Sequence, residues 1–202
     1  MFLTIIPSGS GDRAPTLLKS HKPLTIEEVL WARTNGVAHL QGRIGDLEYL
    51  RKLLGAFEKS DMKRIYISDN KLMALPDKLW TFHNLQTLAI DGNGLRMVPS
   101  QISKLKQLRV LYLNDNGIRS TSFPRSFIEL RHLSVLWIQN NRLKSVPNEI
   151  GELPNLQHLN AGHNQIKTIS HRLFSLQKLK SLWLNNNDIS CLPQNIGNLQ
   201  RV

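Results

Sequence analysis

An asparagine that recurs about every 23 residues is the feature that most constrains the fold of this chain. The steps between successive copies are 23, 23, 25, 23 and 23 residues, and the copies are Asn70, Asn93, Asn116, Asn141, Asn164 and Asn187. Each asparagine lies in the same apolar frame, which in the second unit runs Leu85, Leu88, Ile90, Asn93, Leu95, Val98, Pro99, Ile102 and Leu105. A fixed period of this length predicts stacked structural repeats.

The frame resembles the leucine-rich repeat pattern L-x-x-L-x-L-x-x-N-x-L, and six units fill residues 62–201. Alternating leucines suit a short strand with one buried face. A buried asparagine amide can bond to loop backbone groups, and proline fixes φ where the chain leaves for the outer side. The predicted fold class is therefore α/β, a leucine-rich repeat solenoid. Its curved parallel sheet forms the concave face, and short helical or irregular segments form the convex face.

The period divides the chain into three predicted parts. Residues 1–24 mix Gly, Ser and Pro without periodicity, which predicts an irregular lead-in. Residues 25–61 are expected to form an N-terminal cap that shields the apolar edge of the first repeat. The six repeats occupy residues 62–202.

Two structures of the cap are compatible with its sequence. Thr25 and Glu28 have capping-box spacing, and Asn35-Gly36 is a helix stop, so residues 25–34 are predicted to be a helix. The alternative is a degenerate repeat that matches the second half of the template at Asn35, Val37, Leu40, Ile44, Leu47 and Leu50, with Gln41 in place of the proline. In both versions an amphipathic helix follows Asp46.

Two repeats depart from the template. The third carries two extra residues within the stretch 120–124, and the fifth has Ile169-Ser170 where the others have an apolar residue and proline. Ordinary variation of a surface loop accounts for both departures. The alternative interpretation is a bulge that shapes a binding edge.

Composition limits the function classes. The chain of 202 residues has a formal charge of +11, a single cysteine and no long apolar run, which argues against a transmembrane helix and a disulfide scaffold. The N-terminus lacks the pattern of a secretory signal, and no glycosylation acceptor is present. The expected location is the cytoplasm, with the nucleus as the alternative.

No catalytic or metal-binding motif is apparent. The sequence lacks a G-x-x-x-x-G-K-[ST] loop, a G-x-S-x-G elbow and an H-E-x-x-H helix. His158 and His163 cluster in the fifth repeat, but with one cysteine and no acidic ligand in register they are expected to be surface imidazoles. A non-enzymatic protein without cofactor or metal is predicted.

Stacking aligns the residue between the two strand leucines into a column that faces away from the core. This column reads Tyr66, Ala89, Tyr112, Trp137, Asn160 and Trp183. Exposed aromatic side chains on a sheet are typical of binding hot spots, so the aromatic members and Asn160 are candidate partner-binding residues. The alternative is that these rings simply pack on one another along the sheet.

A second column lies three residues after each asparagine and reads Met73, Arg96, Arg119, Lys144, Lys167 and Ser190. Four consecutive cations could form an ordinary solvated face, steer an acidic protein partner, or contact nucleic-acid phosphates. An acidic protein surface is the favoured partner, and nucleic acid or another polyanion is the alternative. A homodimer through the C-terminal edge, where the chain stops at Val202, is a third interpretation.

The repeat ending seen in residues 146–156, Val-Pro-x-x-Ile-Gly-x-Leu-x-x-Leu, resembles the intracellular leucine-rich repeats of Ras-suppressor and scribble-type proteins. The resemblance covers the chain from residue 62 onward. It implies a non-enzymatic scaffold that binds signalling proteins, such as small GTPases or phosphatase subunits, through the concave face.

Overall fold

The computed structural model describes residues 23–58 and 60–190, and within them seven parallel strands form one open sheet. The order of the strands in the sheet is their order in the chain. The strands are β1 Val37–His39, β2 Arg64–Tyr66, β3 Thr87–Ala89, β4 Val110–Tyr112, β5 Val135–Trp137, β6 His158–Asn160 and β7 Ser181–Trp183. The predicted leucine-rich repeat solenoid is confirmed.

The core lies behind the sheet, and each strand contributes its central residue to it, together with apolar residues of the loops, the 3₁₀ segments and the cap. The central residues pair in register from strand to strand, and Ile65, Leu88, Leu111, Leu136 and Leu159 are all fully buried. Because side chains alternate along a strand, burial of the central residue turns its two neighbours to the opposite face. That opposite face is called the open face of the sheet below.

Short 3₁₀ segments return the chain on the far side of the core. They cover Asp77–Thr81, Ser100–Lys104, Ser120–Ser122, Arg125–Glu129, Ile150–Glu152 and His171–Ser175. Pro76, Pro99 and Pro124 immediately precede three of them with φ between −75° and −63°. Proline suits this position because its fixed φ starts a helical turn and its missing N–H is not needed there. In the fifth repeat Ser170 replaces proline, and its Oγ accepts a hydrogen bond from the Arg172 N–H at 3.3 Å.

The N-terminal cap contains two helices with a strand between them. Helix α1 spans Ile26–Asn35, has the predicted capping box, and ends at Gly36 with φ of 66°. Strand β1 follows at once and pairs with β2, and helix α2 spans Leu47–Ala56 behind its N-cap Asp46. The structure therefore forms the helix of the first alternative.

The register of the degenerate-repeat alternative is wrong. Asn35 ends α1, and its amide donates to the Trp31 carbonyl at 2.8 Å instead of joining the asparagine series. Val37 opens a strand where that alignment placed a loop. The physical reason is the left-handed turn at Gly36, which lets a strand begin directly after the helix.

Parts of two predicted regions lie outside the described residues. They are most of the irregular lead-in and residues 191–202 at the end of the sixth repeat, including Cys191. Within residues 23–58 and 60–190, no helix combines the length and the apolar character needed to cross a membrane.

Candidate functional site

The loop that follows each strand is fixed by the asparagine series. The Asn141 Nδ2 donates to the carbonyls of Leu113 and Ile138 at 3.0 Å and of Gln139 at 3.2 Å, and its Oδ1 accepts from the Ile118 N–H at 3.0 Å. Corresponding amide bonds to loop carbonyls are made by Asn70, Asn93, Asn116, Asn164 and Asn187. Each amide links two rungs, so the loops beside the open face are held in a fixed geometry.

In the aromatic column Trp137 is exposed, and the members on either side of it are half-buried. The rings of Tyr112 and Trp137 lie 4.8 Å apart between centroids at an interplanar angle of 47°, and Trp137 is 36% exposed. Asn160 is opposite Trp137 in the strand pairing, and Trp183 is opposite Asn160. Asn160 and Trp183 are both half-buried. The structure thus brings these four predicted residues together across β4 to β7.

Tyr66 differs from the other predicted anchors because it is only 8% exposed. Its ring stacks on His39 from the cap, with centroids 4.9 Å apart and an interplanar angle of 5°. Ala89, itself buried, separates it from Tyr112. We therefore correct the predicted surface by removing Tyr66, since the cap covers the ring that the sequence pattern placed in the open.

Polar groups flank the aromatic column at the ends of the strands. Burial raises the pKa of Asp91, even though the Ser68 hydroxyl donates to its carboxylate at 2.7 Å. On the next rungs, Asn114 Oδ1 and Gln139 Oε1 are buried and accept no hydrogen bond from the described residues. The face beside Tyr112 and Trp137 is therefore rich in acceptor oxygens.

The cation column is fully on the surface. Arg96, Arg119, Lys144 and Lys167 are all exposed, and none forms an ion pair within the described part of the chain. Arg119 and Lys144 also line a cleft of about 820 Å³ together with Arg142.

Arg142 is a cation that sequence reasoning missed. It directly follows the asparagine of the fourth repeat, a position occupied by Gly94 and Gly117 in the two preceding repeats. An alignment of the repeats at that position would have shown that the fourth repeat has an arginine where its two predecessors have glycine.

The two clustered histidines contact different neighbours. His158 Nδ1 lies 3.2 Å from Ser181 Oγ, and His163 Nε2 lies 2.9 Å from Asn186 Nδ2. Burial lowers the pKa of His158, and Lys180 lowers it further. Among the residues that the structure describes, no three His, Cys, Asp or Glu side chains form a group that could hold a metal ion.

Comparison with known proteins agrees with the repeat assignment. Residues 108–202 match the family model described as "Leucine-rich repeat region". A comparison with curated proteins gave no match. Among solved structures, a leucine-rich repeat protein of Leptospira interrogans is 29% identical, with a TM-score of 0.68 over 77% of this chain and 38% of its own.

Two plant receptors are also similar. The leucine-rich repeat ectodomain of the Arabidopsis thaliana membrane receptor kinase GASSHO1/SCHENGEN3, in complex with CASPARIAN STRIP INTEGRITY FACTOR 2, is 29% identical, with a TM-score of 0.62 over 74% of this chain and 18% of its own. The plant peptide hormone receptor RGFR1, in complex with RGF2, is 26% identical, with a TM-score of 0.62 over 82% and 26%. The chain spans well under half the length of these three structures. Its repeats, its fold and these matches make it a leucine-rich repeat protein.

Proposed function

We propose that this chain is a non-enzymatic protein-binding module that holds its partner on the open face of the sheet. The Tyr112–Trp137 pair, in which Trp137 is exposed and Tyr112 half-buried, carries the proposal. Trp183 is a third anchor, and Asn160 lies between Trp137 and Trp183. Aromatic rings held on a rigid surface bury a large area while losing little side-chain entropy, and such residues dominate many interfaces.

The surroundings of the anchors support a protein partner. Strands β4, β5 and β6, which carry Tyr112, Trp137 and Asn160, have fully buried central leucines at 111, 136 and 159, so this part of the surface is already ordered before binding. The similar plant receptors were solved in complex with CASPARIAN STRIP INTEGRITY FACTOR 2 and with RGF2, which supports binding of a partner by repeats of this kind.

The partner class rests on charge and on the family resemblance. Unpaired cations at Arg96, Arg119, Lys144 and Lys167 would attract an acidic protein surface and speed its association. The resemblance to Ras-suppressor and scribble-type repeats favours a signalling protein of small GTPase or phosphatase type. We place this interaction in the cytoplasm, with the nucleus as the alternative.

The test is loss of partner capture when two tryptophans are removed. Replacement of Trp137 and Trp183 by Ala should weaken binding to a captured partner by more than about 2 kcal/mol, or roughly thirty-fold. Trp31→Ala is the matched control, because Trp31 is an exposed tryptophan on α1 outside the column. Equal binding by the double variant and the control would disprove the role of the open face.

The high positive charge favours a second candidate, binding of nucleic acid or another polyanion. That mode predicts affinity for generic duplex and single-stranded DNA that falls steeply with salt and is indifferent to sequence. A homodimer through the C-terminal edge is the third candidate, and sedimentation at several protein concentrations separates it from both.

A further inference from the structure

A cationic cleft lies among the loops that follow β4, β5 and β6, at a different part of the repeat from the aromatic column. Its volume is about 820 Å³, and its charged walls are Arg119, Arg142 and Lys144. Arg119 and Arg142 form a parallel backbone bridge, and the Arg142 N–H donates to the Ile118 carbonyl at 2.9 Å. The two guanidinium groups therefore start from adjacent points of neighbouring rungs.

The three cations of the cleft lack acidic partners within the described residues. Other surface cations do have acidic partners: Arg125 and Arg172 share Glu152 at 2.7 Å, and Lys106 pairs with Glu129. Three like charges around one cleft repel one another, so a doubly charged anion between them would remove an unfavourable interaction. Two arginines and a lysine are also the side chains that bind phosphoryl oxygens well, by forked hydrogen bonds and by point charge.

The insertion in the third repeat fixes this arrangement. Ser120 Oγ accepts hydrogen bonds from the Lys144 and Ser145 N–H groups at 2.9 Å and donates to the Ser145 carbonyl at 2.8 Å. These three bonds tie the backbone beside Arg119 to the backbone of Lys144. This geometry favours the interpretation of the insertion as a bulge that shapes a binding edge, because the bulge forms one wall of the cleft.

The cleft also depends on one repeat-specific residue. The position after the asparagine is glycine in the second and third repeats, glutamine in the fifth and aspartate in the sixth, and it is Arg142 in the fourth. Lys71 occupies it in the first repeat, where the neighbouring column residue is Met73. Only between the third and fourth repeats do cations from both positions meet.

A second cleft of about 570 Å³ continues from the first and shares Ser120, Thr121 and Ser145 with it. Its other walls include Pro147, Glu149, Ile169 and His171, so it is mixed in character and contains a carboxylate. A carboxylate would repel the next phosphate of a nucleic-acid strand, whereas a mixed wall accommodates the side chains of a peptide.

From these contacts we propose that the cationic cleft binds a phosphorylated side chain of a partner protein, whose flanking residues lie along the second cleft. The proposal does not depend on the aromatic anchors of the open face, although Arg119 and Lys144 also belong to the cation column of the proposed function. Arg119 and Arg142 hold the phosphoryl oxygens, and Lys144 adds charge from the third side.

The first experiment uses a peptide library with one fixed phosphoserine and randomised flanks, compared with the unphosphorylated twin library. Fluorescence polarisation should show saturable binding of the phosphorylated peptides only, and arginine Nε–H signals in NMR spectra should shift for Arg119 and Arg142. Each of Arg119→Gln and Arg142→Gln should weaken binding at least about ten-fold. Arg109→Gln is the control, because Arg109 is an exposed arginine just before β4, away from the cleft.

Two further probes decide the source of the phosphate. Inorganic phosphate should bind at least ten-fold more weakly than the selected peptides, and equal affinity would overturn the role of the second cleft. Random-sequence single-stranded DNA that binds more tightly than the peptides, and is weakened as much by Arg109→Gln as by Arg142→Gln, would overturn the proposal in favour of general polyanion binding. The Trp137→Ala variant should keep full phosphopeptide affinity. Loss of phosphopeptide binding in Arg142→Gln but not in Trp137→Ala therefore tests the cleft separately from the open face.

Discussion

At the scale of single residues, the asparagine series stabilises the solenoid because its side-chain amides form hydrogen bonds with loop backbone groups that are buried away from water. A three-residue strand leaves most of its loop backbone without ladder partners, and a buried backbone group without a partner is costly. One amide in each repeat meets that need because it offers two donors and an acceptor at the same point. This is why an uncharged polar side chain such as Asn141 lies in the interior at 8% exposure.

We predict that Asn141→Ala destabilises the protein by about 2–4 kcal/mol, because it leaves three carbonyls and one N–H with fewer buried partners. Urea unfolding followed by circular dichroism measures the loss. Asn155→Ala is the control, since the Asn155 side chain makes one bond to the backbone, from Nδ2 to the Arg131 carbonyl at 2.7 Å, and otherwise accepts only from the exposed Lys178 among the described residues. It should cost under about 1 kcal/mol. Similar losses in the two variants would contradict the structural role of the series.

Residue positions in the repeats were predictable because one period sets them all. The period gave the buried strand leucines and the column of Tyr112, Trp137 and Trp183. It failed at Tyr66, because the ring that covers it, His39, comes from the cap and outside the period. The period also did not predict that Arg142 lines a cleft, because the neighbours of Arg142 include Ser120 and Thr121, whose position depends on the two inserted residues of the third repeat.

At the scale of elements, an ion pair ties α1 to the rest of the cap. Arg43 donates to both carboxylate oxygens of Glu28, at 2.7 and 3.0 Å, and to the Pro23 carbonyl at 3.1 Å. Glu28 also accepts from the Thr25 N–H at 2.7 Å within the capping box. The hydrogen bonds from Arg43, followed by the bond from Thr25, lower the pKa of Glu28 to about 2.

A pH-dependent contribution to stability follows from this shift. In the unfolded chain Glu28 takes up a proton near its ordinary pKa of 4.5, whereas the folded chain resists protonation until about pH 2. The ion pair therefore stabilises the fold fully above about pH 5, and this contribution is lost as the pH falls toward 2. Because the Glu28 side chain is 44% exposed, solvent screening limits the contribution to about 1 kcal/mol.

Glu28→Gln should consequently lower stability at pH 7, and the difference from the parent protein should shrink toward zero near pH 2. Thermal unfolding at a series of pH values measures it. Glu27→Gln provides the comparison, because Glu27 is exposed on the same helix turn and forms no ion pair with the described residues. A difference that stays constant with pH would exclude the Glu28 carboxylate as its source.

The elements of the cap were only partly predictable. Local signals sufficed for α1 and α2, since the capping box, Gly36 and the Asp46 N-cap all act within a few residues. Strand β1 had no such signal, because its core residue is Ala38 in place of a leucine. Its strand conformation depends on pairing with β2, which no pattern within the segment reveals.

At the scale of the whole molecule, each rung contacts mainly its neighbours, so stability should vary along the coil. The N-terminal side is covered, since Ala38 of β1 is fully buried and α1 packs against that strand. At the other side of the described sheet, β7 pairs with β6, and its core residue Leu182 is only half-buried. Local opening should therefore begin more often at β7 than at β1.

Amide hydrogen exchange followed by mass spectrometry tests this gradient. We expect the backbone amides of β4 and β5 to exchange at least about ten-fold more slowly than those of β7, because a central strand pairs with a strand on each side, whereas within residues 60–190 β7 pairs only with β6 and its core residue is half-buried. Amides of β1 and β2 should resemble the central strands, because the cap protects them. Uniform exchange from β1 to β7 would mean that the coil opens only as a whole, and the nearest-neighbour description would then be wrong for this protein.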